Sequence, residues 1–200
     1  MYHTLKLVIE KIDFDTIPAI RKVELKALTD FIQLKKNSKA EIHLNFICTH
    51  NSRRSQFSQI WANVAANFYG IVINSYSSGV EVTALNPRVV ASLERFGFNI
   101  DSTEGENPQY RIDYDPAQKA ITAFSKLIED PSNPTSNFAA IMTCSHADEN
   151  CPVVFGAEQR ISIRYDDPKA FDDTPLETCM YDYRSFQIAT ELFYVFSCLK

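Results

Sequence analysis

The chain has 200 residues, 45% of them hydrophobic and 22% charged, which describes an ordinary soluble globular protein with room for one domain and a sizeable core. The formal net charge is −5 with no basic block, which argues against a nucleic-acid or membrane-surface partner. No segment has the length and apolarity of a transmembrane helix, and Met1 to Lys6 lacks the basic start and apolar stretch of a signal peptide, so the expected location is the cytoplasm.

In chain order, residues 1–40 read as an N-terminal helical extension. A helix is expected over 17–36, where Ile20, Val23, Leu25, Leu28, Phe31, Ile32 and Leu34 recur near helical spacing. This segment packs on the domain or mediates dimerisation. The domain itself runs from 41 to 200. It opens with a strand over 42–47, then a loop and a helix over 55–69 that ends at Gly70. A second strand is expected over 72–76, ending at Ser77-Ser78-Gly79. Asn86-Pro87 starts a helix that runs to 96 and is closed by Gly97.

Residues 101–117 are polar and proline-bearing and read as a loop, and 117–128 as a helix. Residues 130–137 form a turn cluster. Strands are expected over 138–143 and 160–164, and a helix over 181–198 with Phe186, Ala189, Leu192, Phe193 and Phe196 on one stripe. Strands alternating with helices imply an α/β fold: a four-stranded parallel sheet with helices on both faces. In such sheets function gathers beyond the carboxyl ends of the strands, and Cys48, Ser77, Cys144 and Asp167 each fall just past an expected strand end.

The most informative run is Cys48-Thr49-His50-Asn51-Ser52-Arg53-Arg54-Ser55. A strand feeding a short loop that opens a helix turns backbone N–H groups and a helix N-terminus toward one point, a ready anion site. The same field favours a thiolate, which makes Cys48 the candidate nucleophile. Thr49, His50, Asn51, Ser52, Arg53 and Arg54 are the candidate oxyanion-binding residues. Arg54 has the planar fork that clamps a tetrahedral oxyanion, whereas the side chain of Arg53 reads as a solvated charge. Ser55 can cap the helix, donate to the Cys48 thiolate, or do both. Asn51 braces the loop through its amide or supplies a left-handed backbone position. The substrate class is phosphate or a phosphate-like oxyanion.

Five cysteines without an export signal argue against a structural disulfide framework. Cys144 and Cys151 bracket six polar residues, wide for the short cysteine pairs of zinc sites. A flexible loop there lets the two sulfurs reach disulfide geometry; two unrelated thiols is the alternative, and a metal site with His146 and Asp148 a weaker one. Cys179 and Cys198 read as structural. Asp166 and Asp167 precede Pro168; either is a turn residue or a general acid/base, and Asp167, next to the proline, is the better candidate. Asp172, Asp173, His50 and His146 read as solvated.

Together these segments resemble the low-molecular-weight protein tyrosine phosphatase superfamily, and most closely its thioredoxin-coupled arsenate reductase branch. The resemblance is carried by Phe46-Ile47-Cys48-Thr49 with Asn51-Ser52, by Ser77-Ser78-Gly79 followed by Asn86-Pro87, by Met142-Thr143-Cys144 with Asp148, Asn150, Cys151 and Pro152, and by Asp166-Asp167-Pro168. It covers residues 40–100 and 138–200, which leaves the first 40 residues and most of 101–137 as additions.

The resemblance implies reduction of arsenate to arsenite by a three-thiol relay. Cys48 attacks arsenate held by the loop and Arg54, and Asp167 protonates the departing oxygen. Cys144 then attacks Cys48, and Cys151 attacks Cys144, leaving a disulfide for thioredoxin. No bound cofactor or metal is implied. His50 stands where these reductases usually carry glycine, Arg53 replaces a usual cysteine, and Gln59 replaces a glutamate that helps bind potassium in some relatives, so that ion is not expected. Tyr110, Arg111 or Tyr114 of the inserted segment would lie at the mouth and favour a small oxyanion. The alternative is a phosphatase acting on phosphotyrosine or small phosphoesters with Cys48, Arg54 and Asp167 alone. A third reading is a redox or oxyanion sensor.

Overall fold

The computed structural model describes residues 1–150 and 153–200. The chain begins with α1 (His3–Ile9), a 3-10 turn at Phe14–Thr16 and α2 (Ala19–Asn37). In α2 the inward stripe is Leu25, Leu28, Phe31 and Ile32, while Ile20, Val23 and Leu34 face water. The expected stripe was therefore too wide by three residues. The short α1, absent from the sequence expectation, buries Leu5 and Ile9, four positions apart on one face. These side chains join the same apolar cluster as the rest of the fold. Arg21 of α2 also reaches across to Glu191, 2.8 Å away, and lies over the ring of Tyr165.

β1 (His43–Cys48) leads into α3 (Arg54–Phe68), and β2 (Asn74–Gly79) into α4 (Pro87–Arg95), where Asn86 caps the helix and Pro87 sits in its first turn. β2 lies later than expected. Val72 is exposed, and the strand runs on through the buried Ser77 and Ser78 to Gly79; Ser77 is thus inside the strand and not beyond its end. Ser78 tolerates this burial because its Oγ donates to Asn45 Oδ1 of β1 at 3.0 Å, whereas the buried Ser77 hydroxyl has no partner among the described residues.

The largest departure is the segment 99–123, expected as a loop and a helix. It forms a three-stranded antiparallel sheet, β3 (Asn99–Ser102), β4 (Tyr110–Asp113) and β5 (Ile121–Ala123). Ala, Gln and Lys around 117–120 favour a helix, but Ile121 and Ala123 are buried while Thr122 between them is exposed, the two-residue period of a strand. Pairing with β4 outweighs local propensity.

β6 (Phe138–Met142), α5 (Ser145–Asn150), β7 (Ala157–Ser162), a 3-10 turn at Pro168–Phe171 and α6 (Glu177–Ser197) complete the chain. β7 sits about three residues earlier than expected, and α5 occupies the segment read as a flexible polar loop. The main sheet has the order β2-β1-β6-β7 with every neighbour parallel, as the sequence implied. Its two central strands are buried on both faces. Leu44, Phe46, Ala139 and Ile141 face the larger core, where α3 packs against α6. There the fully buried Trp61 donates from Nε1 to Ser185 Oγ at 2.9 Å and meets Phe96 and Phe98 edge-on. Ile47, Phe138, Ala140 and Met142 face a smaller cluster closed by Ala147 of α5. No helix among the described residues is long and apolar enough to cross a membrane.

Candidate active site

From β1 the chain crosses to β2 on one side, while β6 pairs on the other. The loops after β1 and β6 therefore part at a topological switch point, the place where open α/β sheets bind ligands. Cys48 ends β1 opposite Gly79, and Thr143 donates its N–H to the Ile47 carbonyl at 2.7 Å, so the loops carrying Cys48 and Cys144 leave the sheet side by side.

The loop after Cys48 is held with its carbonyls outward. Thr49 O accepts from the N–H groups of Val80 and Glu81, and Ser52 O from that of Asn86. His50 O accepts from the Ser125 hydroxyl at 2.8 Å, and Asn51 O from Gln56 Nε2 at 2.9 Å. With every one of these carbonyls occupied from outside, the N–H groups of residues 49–54 face the other way, and they donate to no acceptor among the described residues. Thr49, Asn51 and Ser52 are buried, and a row of buried donors left unpaired is the signature of an anion cradle. Asn51 adopts a φ of 46°, the left-handed turn the cradle needs. Gly79 lets the loop pass: a Cβ there would lie 2.7 Å from both Asn51 N and Thr49 O.

Asn51 does more than turn the backbone. Its Oδ1 accepts the Lys126 N–H at 2.9 Å, which fixes the amide so that Nδ2 donates to Ser55 Oγ at 2.8 Å. Ser55 Oγ, already accepting from Asn51, lies 3.1 Å from Cys48 Sγ and has its own proton to offer a thiolate there. A chain of hydrogen bonds from Lys126 N–H through Asn51 and Ser55 thus ends on the Cys48 sulfur. Both readings of Asn51 hold at once. No side-chain cap is present at the start of α3, so Ser55 serves the sulfur and not the helix end.

Arg54 Nη2 donates to Asp167 Oδ2 at 2.5 Å and Nη1 to the Tyr165 carbonyl at 3.3 Å, while its buried Nε has no partner. The guanidinium is therefore held by one edge with another donor unspent. Asp166, by contrast, is exposed and pairs with Arg184. Arg53 is not a solvated charge: its Nε donates to Tyr181 Oη at 2.6 Å and it pairs with Asp172 at 3.1 Å. Its side chain anchors the loop to α6, leaving only its backbone for an oxyanion. Asp172 is accordingly not a free surface charge, whereas Asp173 is exposed and meets Arg88.

Cys144 follows β6 and is 1% exposed. Its sulfur accepts from the Ala147 N–H at 3.4 Å and lies 3.5 Å from Thr49 Oγ1 of the Cys48 loop. The two expected thiols are thus brought to one loop. His146 is exposed, as expected, but its Nδ1 lies 3.3 Å from the same Thr49 hydroxyl. His50 is partly exposed and pairs with Glu81 at 3.1 Å. Asp148 binds Arg160, Arg164 and Ser162 and so braces α5 on β7. Cys151 and Pro152 lie outside the described residues. Cys179 and Cys198 are exposed, contrary to their reading as structural thiols. Among the described residues no group of three His, Cys, Asp or Glu is arranged to hold a metal.

The inserted segment braces the loop from behind. Tyr114 is buried, Tyr110 packs on the core and Arg111 turns to Asp113, so none of them forms the lid that was expected. Ser125 and Lys126, just after β5, hold His50 and Asn51 instead, and Asn107 holds Ser125. Nothing in the sequence marked these contacts, which join residues about 75 positions apart.

Lys126 is 5% exposed, and burial lowers its pKa to about 8 against the opposing pull of Asp130. Between about pH 8 and the ordinary lysine value the unfolded chain holds this proton and the folded protein does not, so stability rises with pH through that window. Lys126→Met is expected to remove that rise and to stabilise the protein at pH 7 by about 1–3 kcal/mol. Urea midpoints of both proteins at pH 7 and pH 9.5 read the difference; an equal gap at the two pH values would contradict it.

No protein-family model matches the chain. It is 30% identical over 123 residues to an arsenate reductase of Brevibacillus brevis, a match spanning 62% of this chain and 74% of the relative. Among solved structures, a low-molecular-weight phosphotyrosine phosphatase from Vibrio cholerae superposes with a TM-score of 0.53 over 77% of this chain and 93% of that one, at 11% identity. An arsenate reductase from Archaeoglobus fulgidus superposes with a TM-score of 0.50 over 77% and 98%, at 16% identity. At those identities the structures speak to the fold alone, and the fold they share with this chain is the low-molecular-weight phosphatase fold. The sequence match, reaching across three-quarters of the relative, goes further: the chain belongs to the arsenate reductase family.

Proposed function

We propose that the protein reduces arsenate to arsenite through Cys48, Cys144 and Cys151, with thioredoxin as the cytoplasmic reductant. The observation that carries this reading is the position of Cys144, whose sulfur is 3.5 Å from Thr49 of the loop that carries Cys48. Hydrolysis of a phosphoester needs no second thiol there.

The arsenate oxygens sit among the N–H groups of residues 49–54 and the free donors of Arg54. The Cys48 thiolate attacks arsenic; an S–As bond forms and an As–O bond breaks, with Asp167 supplying the proton to the departing oxygen. The Cys144 thiolate then attacks Cys48 Sγ. The S–S bond forms as the S–As bond breaks, and its electron pair leaves with arsenic as arsenite. Cys151 attacks Cys144, freeing Cys48, and an external dithiol reduces the remaining disulfide.

Cys151→Ala is expected to allow one turnover and then stop, read as arsenite formed per protein with thioredoxin, thioredoxin reductase and NADPH present. Sustained turnover by this variant would contradict the relay. Cys48, Arg54 and Asp167 also suffice for a small phosphoester, and the likeness to a phosphatase structure favours slow hydrolysis as a second activity.

A further inference from the structure

We infer that the groove between α3, β2 and β5 binds a small organic carboxylate, whose negative group is taken by the ammonium of Lys126. The inference is independent of the reductase reading. The groove has a volume of about 700 Å³, within the range of small-molecule sites. Its lining holds two lysines, Lys119 and Lys126, and no acidic side chain among the described residues. Lys126 is buried, and its Nζ sits 4.6 Å from the centre of the Phe124 ring. Among the described residues that ammonium has no hydrogen-bond or ion-pair partner. Asp130 pulls on it from beyond ion-pair distance and is itself bound by the N–H and hydroxyl of Ser132.

A buried cation without a paired anion lowers stability, which is why Lys126→Met is expected to be the more stable protein. An anion from solution supplies the missing partner, and meets a cation that is already desolvated. The chemistry of the lining selects among anions. No arginine lines the groove among the described residues, so it lacks the planar fork that Arg54 offers a tetrahedral oxyanion beside Cys48. The single ammonium of Lys126 suits a carboxylate. The side-chain amides of Asn63, Asn67 and Gln118 offer donors and acceptors to the rest of the molecule. Lys126 also ties the groove to the Cys48 loop, because its own N–H holds Asn51 Oδ1.

The test titrates succinate into the natural protein by calorimetry, with inorganic phosphate in excess to fill the Cys48 loop and succinamide as the neutral control. Succinate is expected to bind in the presence of phosphate, and succinamide is not. Lys126→Met, which keeps the backbone bond to Asn51, is expected to weaken succinate binding by about 10-fold or more, the scale of one lost charge-assisted hydrogen bond. The contact itself is read from the NMR titration of the Lys126 ε-methylene. Its midpoint of about 8 is expected to move upward with succinate bound, because the anion favours the charged ammonium. No binding of succinate, equal binding by Lys126→Met, an unmoved midpoint, or displacement by phosphate overturns the inference. Each of these leaves the reductase reading standing, since neither arsenate nor a thiol takes part.

Discussion

Cys48→Ser is expected to abolish arsenate reduction and to reduce phosphoester hydrolysis by at least about 10⁴-fold, the scale on which enzymes lose rate when a covalent nucleophile is removed. A serine oxygen fits beside Ser55 without disturbing the loop, and the carbonyl anchors at Thr49, His50, Asn51 and Ser52 do not involve the sulfur. The variant should therefore keep its fold and its near-ultraviolet circular dichroism. What it loses is chemical. An alcohol ionises far less readily than a thiol, and oxygen cannot accept the attack of Cys144 to make a disulfide. Arsenate turnover above about one per cent of the natural protein would mean that another thiol attacks first, with Cys144 the candidate.

Arg54→Ala is expected to lower kcat/KM for arsenate and for p-nitrophenyl phosphate alike, each by about 10²–10³-fold, the range for removing one oxyanion donor. The guanidinium is fixed by Asp167 at 2.5 Å and by the Tyr165 carbonyl, so its position is set before substrate arrives. Tyr165 is in turn packed under Arg21 of α2, so the N-terminal helix supports this arginine at one remove. Arg54→Lys should rescue little, because a single ammonium cannot hold Asp167 and the carbonyl while presenting a further donor. A lysine variant with near-natural activity would mean that Arg54 contributes charge alone.

Much of this site was legible from residue order. The strand–loop–helix around Cys48, the helix start at Asn86-Pro87 and the apolar run ending at Cys144 each rest on local rules of periodicity and capping, and the parallel sheet follows from their alternation. The errors share a cause as well. Residues 117–128 carry helix-forming side chains, and only the partner strand β4 makes Ile121 and Ala123 a strand. Arg53 looks like a surface charge until Asp172 and Tyr181, more than a hundred positions away, close around it. Ser125 and Lys126 are unremarkable in sequence because they work through backbone and hydroxyl groups at a place set by tertiary packing. Contacts at long separation decide these positions, and no local pattern encodes them.

The central claim is that the second thiol makes this loop a reductase. The most direct measurement follows NADPH loss with arsenate, thioredoxin and thioredoxin reductase, and runs p-nitrophenyl phosphate hydrolysis on the same protein and on Cys144→Ser. Sustained arsenate turnover that vanishes in Cys144→Ser is the expected result. Phosphoester hydrolysis with no arsenate turnover in the natural protein would contradict the account and make the molecule a phosphatase with a spare cysteine at its active-site loop.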